Sequence, residues 1–204
     1  MKRKLILLLC MFVFLGSMAH AQKQDSTYRK HFISSSFFIL YNLAHSDESP
    51  SFFQINYGYR INPPNVILIE AITWKYYAPL GIPYGPSYGD KEENFPGYVR
   101  DFGIGVAYQR FLWKGLFATL NATPFIQQYF TPEKEKIQTG FQLFTSLRLG
   151  YHIPMFKNRF FIEPSIACTY WPINTNMPGS FAEQENKWPN YFLFEPGFNF
   201  GVKF

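Results

Sequence analysis

From residue 53 onward the chain alternates apolar and polar positions with a period of two. Phe53, Ile55, Tyr57, Tyr59 and Ile61 are separated by Gln54, Asn56, Gly58 and Arg60. Phe102, Ile104, Val106 and Tyr108 alternate with Asp101, Gly103, Gly105 and Gln109, and Phe141, Leu143, Leu147, Leu149 and Tyr151 with Gln142, Ser146, Arg148, Gly150 and His152. Successive side chains of a strand point to opposite faces, so each segment has one lipid-like face and one small, polar or charged face. The pattern, cut at turn signals, predicts eight strands at about 31–43, 52–61, 65–77, 98–111, 116–130, 138–152, 160–171 and 191–204. The first and third alternate less cleanly; in the third, Glu70 is expected to point inward.

The connections differ in length from one side to the other. "INPPN" at 61–65, "LWKG" at 112–115 and "IPMFKNR" at 153–159 are short, while "APLGIPYGPSYGDKEENFPG" at 78–97 and "PINTNMPGSFAEQENKWPN" at 172–190 are long. An even number of strands, with short turns on one side and long loops on the other, is the arrangement of a transmembrane barrel. Aromatic residues gather near both ends of the strands. Trp74, Tyr76, Tyr77, Tyr98, Tyr129, Tyr170, Trp171 and Tyr191 fall at the loop ends, and Tyr59, Trp113, Tyr151, Phe160 and Phe204 at the turn ends. Two interfacial girdles are expected from them.

Composition agrees with interleaving. The 204 residues include 24 Phe and 14 Tyr, an aromatic fraction of 21%, yet the mean hydropathy is only −0.13. The first stretch, "MKRKLILLLCMFVFLGSMAHAQ", has a basic start, an apolar run from Leu5 to Leu15 and an Ala-His-Ala site. It reads as a signal peptide over 1–21, cleaved before Gln22, followed by a short periplasmic segment at 22–30 and a barrel at 31–204. Cys10 leaves with the leader, so Cys168 has no partner for an intrachain disulfide. Lys2, Arg3 and Lys4 leave as well, and the mature chain is close to neutral, which gives no reason to expect a nucleic-acid partner. The best apolar run of the mature chain, "NVILIEAITW" at 65–74, is too short for a spanning helix and contains Glu70. An exported chain of this kind enters a membrane only as a closed barrel.

Together, the leader, the eight alternating segments, the alternation of short turns and long loops, and the ending "FNFGVKF" resemble the small outer-membrane β-barrel proteins of Gram-negative bacteria. The resemblance implies an all-β fold, an eight-stranded antiparallel up-and-down transmembrane β-barrel. It also implies an outer-membrane location among outer-membrane lipids. In that group a last strand such as Phe198, Phe200, Val202 and Phe204 is similar to the sorting signal read by the barrel assembly machinery. Such a fold names a class and an address, not an activity. A soluble lipocalin-like barrel is the alternative, but it would place the apolar faces inward.

With the polar faces inward, the lumen collects Arg60, Glu70, Asp101, Arg148, Glu163 and Glu195, together with Lys203. Side chains fill the interior of an eight-stranded barrel, and buried charges are tolerated when paired. A structural charge network that plugs the lumen is therefore expected, in preference to a small-solute channel. "AHSDES" at 44–49 places His45, Ser46 and Asp47 in the first outer loop, the residue types of a lipid acyltransferase or deacylase. Adjacent residues in one loop rarely provide triad geometry, and solvated turn chemistry is the simpler reading. His31, His45 and His152 lie on separate elements without metal spacing, and no cofactor motif is present. The two long loops carry Tyr84, Tyr88, Phe95, Phe181 and Trp188, contact residues for an extracellular ligand of unknown kind. The expected role is structural or surface-interacting, with a lipid-modifying enzyme as the alternative and a channel third.

Overall fold

The computed structural model describes residues 29–43 and 49–204. The expected leader at 1–21, most of the segment at 22–30, and His45, Ser46 and Asp47 lie outside the described residues. Nine strands follow in chain order: β1 His31–Ser36, β2 Phe53–Asn62, β3 Asn65–Tyr76, β4 Tyr98–Trp113, β5 Leu116–Phe130, β6 Lys136–Tyr151, β7 Ile153–Met155, β8 Phe160–Thr175 and β9 Tyr191–Lys203. Between them lie 3-10 helices at Phe37–Leu43 and Lys91–Glu93 and one short helix, α1, at Gly179–Glu185. None of the described helices is long and apolar enough to cross a membrane.

The strands form a closed ring of eight staves. β1 to β6 pair antiparallel in succession, β6 and β7 both pair with β8, β8 pairs with β9, and β9 returns to pair with β1, Phe32 opposite Lys203 and Ser36 opposite Asn199. β6 and β7 are one stave. Gly150 opposite Ser165 and Ile153 opposite Ile162 keep the same register along β8, with the break only at His152. The fold is the all-β up-and-down barrel expected from the alternation.

Turn chemistry sets the short end. Trp113 pairs with Leu116 across Lys114 and Gly115, both at positive φ, as a two-residue primed turn requires. At the other short hairpin Asn62 pairs with Asn65, whose backbone amide donates to the Asn62 Oδ1 at 3.1 Å. Strand prolines lack an N–H, and Pro124, Pro164, Pro172 and Pro196 all sit off the buried lumenal face. Pro172 marks a bulge, since Leu143 pairs with Ile173 while Thr145 pairs with Tyr170. Beyond the bulge Ile173, Asn174 and Thr175 still pair with Leu143, Gln142 and Phe141, so β8 runs to Thr175, past the expected end at 171.

The first strand departs from expectation. It ends at Ser36 rather than 43, because "FFILY" at 37–41 has no polar alternate positions to offer a lumen. The Ser36 hydroxyl accepts from the Phe38 amide at 3.2 Å, and the chain winds into the 3-10 helix with Leu40, Tyr41 and Leu43 exposed.

The two faces separate as the pattern requires. Phe53, Ile55, Tyr57, Phe102, Ile104, Val106, Leu147 and Leu149 are exposed outside, while Asn56, Asp101, Gln109, Gln142 and Ser146 are buried inside. The expected girdle at the loop ends needs correction. Tyr129 and Trp171 are buried in the lumen, and Trp74 and Tyr76 also turn inward, where Trp74 Nε1 donates to Asp101 and the Tyr76 hydroxyl accepts from Gln127. Position parity, not proximity to a strand end, decides which way an aromatic points. Tyr59, Trp113, Tyr151, Phe160 and Phe204 at the turn ends are exposed as expected.

Adjacent staves interlock through inward glycines. A Cβ at Gly105 would meet the Thr123 hydroxyl at 2.1 Å, and one at Gly201 would meet the Phe161 ring at 2.3 Å. Both glycines seat a side chain from the neighbouring strand, so adjacent staves interlock on the lumenal side. Gly105→Ala is expected to lower stability by about 1–3 kcal/mol through overpacking, whereas Gly85→Ala, with nothing within 4 Å of its Cβ, leaves stability unchanged. Urea unfolding of the reconstituted barrel checks both.

Candidate functional site in the barrel lumen

Three tiers of side chains fill the interior. At the turn end, Phe32, Val66 and Phe161 form a buried apolar cluster, with Leu68 and Phe111 against it. Beside it runs a buried polar chain. His152 Nδ1 lies 2.7 Å from Glu163 Oε1, and His152 Nε2 lies 2.8 Å from Lys203 Nζ. An ammonium can only donate, so Nε2 accepts from Lys203 and Nδ1 carries the proton given to Glu163. Gln109 Nε2 also donates to Glu163 at 3.3 Å, and Lys203 donates to Asn158. Arg60 lies over the Phe111 ring at 4.5 Å and donates to the Pro63 carbonyl at 2.7 Å. The chain Glu163–His152–Lys203 resembles an oriented base, but no hydroxyl or thiol nucleophile stands at it among these contacts.

The middle tier is polar. Glu70 points inward, as expected, and accepts from Gln54 Nε2 at 2.6 Å and from the Thr123 hydroxyl at 2.9 Å. That second bond crosses β4 at Gly105, which explains the glycine there. Arg148 Nη2 and Glu195 Oε1 form an ion pair at 3.1 Å, and Arg148 Nη1 donates to the Ser165 hydroxyl at 3.1 Å. The Arg148 side chain lies against Gly197, where a Cβ would fall 1.9 Å from Nη1.

The long-loop end is closed by aromatic side chains and the loops themselves. Phe95, Val99, Tyr129 and Phe181 form a buried cluster with Tyr76 and Met177 packed on it, and Phe144 stacks on Trp171. Phe181 comes from α1, which sits in the barrel mouth. Trp171 Nε1 donates to Glu185 Oε1 at 3.1 Å, and Lys187 meets Glu93 at 4.0 Å, tying the fourth outer loop to the wall and to the second loop. Burial pushes the Glu185 carboxyl above its usual range, against the opposing effect of the Trp171 bond.

The sequence-derived residues are thus placed unevenly. Arg60, Glu70, Asp101, Arg148, Glu163, Glu195 and Lys203 belong to this lumenal column. Among them Arg148 pairs with Glu195, while Glu70, Asp101 and Glu163 accept from neutral donors or histidine. Inward-facing Gln, Thr and Asn residues were equally legible from parity, but carry no charge to attract notice. Of the loop aromatics, Phe95 and Phe181 pack into the mouth, whereas Tyr84 and Tyr88 remain exposed. The free Cys168 is exposed on the outer face. No cluster suited to a metal ion occurs among the described residues.

No family model matches the sequence, and no curated protein matches it significantly. Among solved structures, Neisserial surface protein A (NspA) is similar, with 16% identity and a TM-score of 0.41 over 85% of this chain and 92% of that one. At that distance the match adds nothing to the reading of the site.

The buried polar chain gives a direct prediction. Glu163→Ala leaves His152 Nδ1 and Gln109 without their acceptor and is expected to cost about 2–4 kcal/mol. Glu163→Gln, which keeps an acceptor oxygen, is expected to cost much less. Urea midpoints of the two refolded variants measure the difference.

Proposed function

We propose that the protein is an outer-membrane barrel with a closed lumen and a structural or surface-interaction role carried by its outer loops. The observation that carries this reading is the separation of faces around a closed ring. Most outward positions of the staves are aliphatic or aromatic, while the glycine, amide, hydroxyl and charged side chains point inward between apolar clusters at the two ends. In water such an outer face would be a large aggregation surface; in lipid it needs no other cover, and a closed ring leaves few unpaired backbone groups. The filled tiers support a plug rather than a pore, and the exposed Tyr84 and Tyr88 support contact outside the cell. Phe198, Phe200, Val202 and Phe204 supply the alternating apolar face that the barrel assembly machinery would read. The lipid-modifying alternative rests on His45, Ser46 and Asp47, and no described contact favours it.

The test uses single cysteines in a Cys168→Ser background. Tyr88→Cys is expected to react with a membrane-impermeant maleimide on intact cells, and Lys114→Cys only after the envelope is opened. Release of the mature chain into a detergent-free periplasmic extract, or labelling of Lys114→Cys on intact cells, would sink the topology. The pure protein in a planar bilayer is expected to show no steady conductance; a stable conducting level contradicts the plug.

A further inference from the structure

Charge is divided between the two ends of the barrel. Outside the lumen, every acidic residue from Asp47 to Glu185 falls in sequence between strands joined at the long-loop end. The rim at the turn end carries Arg29, Lys30, Lys114, Lys157 and Arg159, and the carboxylate closest to it in sequence, Glu163, is buried. Ahead of β1 and beyond the expected leader stands Asp25, which Lys23 balances.

Four of these cations lie on one side of the ring. The β7–β8 turn carries Lys157 and Arg159, both exposed, and Arg29 donates from Nη1 to the Lys157 carbonyl at 3.4 Å. Lys30 follows, also exposed. The end of β9 runs between the two segments, since the Lys203 amide donates to the Arg159 carbonyl at 2.7 Å and Phe204 exchanges backbone bonds with His31. The turn is held in shape. Phe156, Lys157 and Asn158 take positive φ values of 47°, 56° and 62°, which side chains rarely adopt. The Arg159 amide closes them by donating to the Phe156 carbonyl at 3.3 Å, and Asn158 Oδ1 accepts from the buried Lys203. Four cations against at most one carboxylate, at Phe204, leave this corner positive.

On its outer side the same corner is apolar. Phe156 is 74% exposed with its ring 5.6 Å from that of Phe160, and Phe160 lies opposite Val202 on the outward face. Phe204, exposed as well, stacks with His31. Aromatic rings of this kind settle at the headgroup level of a bilayer, and arginine and lysine beside them match a phosphate. A soluble anion would use the cations and leave the rings idle. A zwitterionic headgroup would bring its own cation to a corner already rich in them.

We propose that this corner binds one anionic phospholipid of the periplasmic leaflet, with its phosphate on Arg29, Lys157 and Arg159 and its acyl chains along Phe160 and Val202. The inference rests on the membrane reading given above.

The probe is phosphatidylglycerol with a fluorescent acyl chain, titrated by anisotropy into maltoside micelles carrying the full mature barrel, with empty micelles as the blank. Saturable binding at one molecule per barrel is expected, about tenfold tighter than that of phosphatidylcholine with the same label. Lys157→Gln and Arg159→Gln are each expected to weaken binding about fivefold, the loss of one basic contact. Lys114→Gln, the same charge change on the β4–β5 turn across the ring, leaves binding unchanged. Glycerophosphoglycerol, the headgroup without chains, does not compete at the concentration of the lipid. Heat-modifiable migration on gels reports folding of each variant, so a chain that never folds into micelles counts against the membrane reading, and a folded barrel without the preference counts against this site alone. Should one of the two corner variants not fold, the other decides. Equal affinity for phosphatidylcholine, an equal loss in Lys114→Gln, which would mean diffuse attraction, or full competition by glycerophosphoglycerol, which would mean a site for free phosphate esters, each overturns the proposal.

Discussion

Backbone hydrogen bonding around the ring is the constraint on which the rest depends. A stave with one apolar face cannot stand alone, and a sheet with two free edges exposes rows of unpaired amides and carbonyls. Here the closing contact is short. Six residues of β1 bridge β2 and β9, extended by reciprocal backbone bonds between His31 and Phe204 at 2.9 and 3.3 Å. Because β1 is the shortest of the eight staves, it determines how far the β1–β9 ladder runs among the described residues.

Interior packing follows from closure. Eight staves leave space for side chains but not for an independent core, so the interior is built from neighbours interlocking across glycines. Thr123 reaches Glu70 over Gly105, and Phe161 lies over Gly201. The polar groups are then held in contact with one another: Glu163 is joined to Lys203 through a histidine with a defined tautomer, and Glu70 by amide and hydroxyl donors. Apolar clusters at the two ends shield this column, and the upper one borrows Phe181 from α1 and Phe95 from the second loop. The outer loops are therefore partly structural, and the contact surface left to them is narrower than their length suggests.

Period-two alternation made the staves legible. β5 runs Leu116–Phe130 as expected, and β2, β3, β6 and β9 differ by only one or two residues at an end. Where the pattern broke down, so did the reading. "FFILY" is apolar at every position, and nothing in it distinguishes a strand from the 3-10 helix it forms. Trp74, Tyr76, Tyr129 and Trp171 were taken by position near strand ends for girdle residues, although their parity with Asp101 and Gln127 placed them inside. The lumenal charges could be collected from sequence, but not their partners. Which side chains meet across the interior depends on stagger between strands, and a stretch such as 131–135 or the Pro172 bulge changes that stagger by a residue. The seating of α1 at the barrel mouth carried no signal beyond an apolar Phe181 in a polar loop.

Amide hydrogen exchange of the barrel in lipid nanodiscs tests the closed ring most directly. The amides of Phe32–Ser36 and Asn199–Lys203 that point across the β1–β9 pair are expected to exchange as slowly as those of the β4–β5 ladder, with hydrogen bonds of the same kind on both sides. Fast exchange confined to the β1–β9 pair, with the other ladders protected, would mean an open sheet rather than a barrel, and would contradict the architecture on which the filled lumen rests.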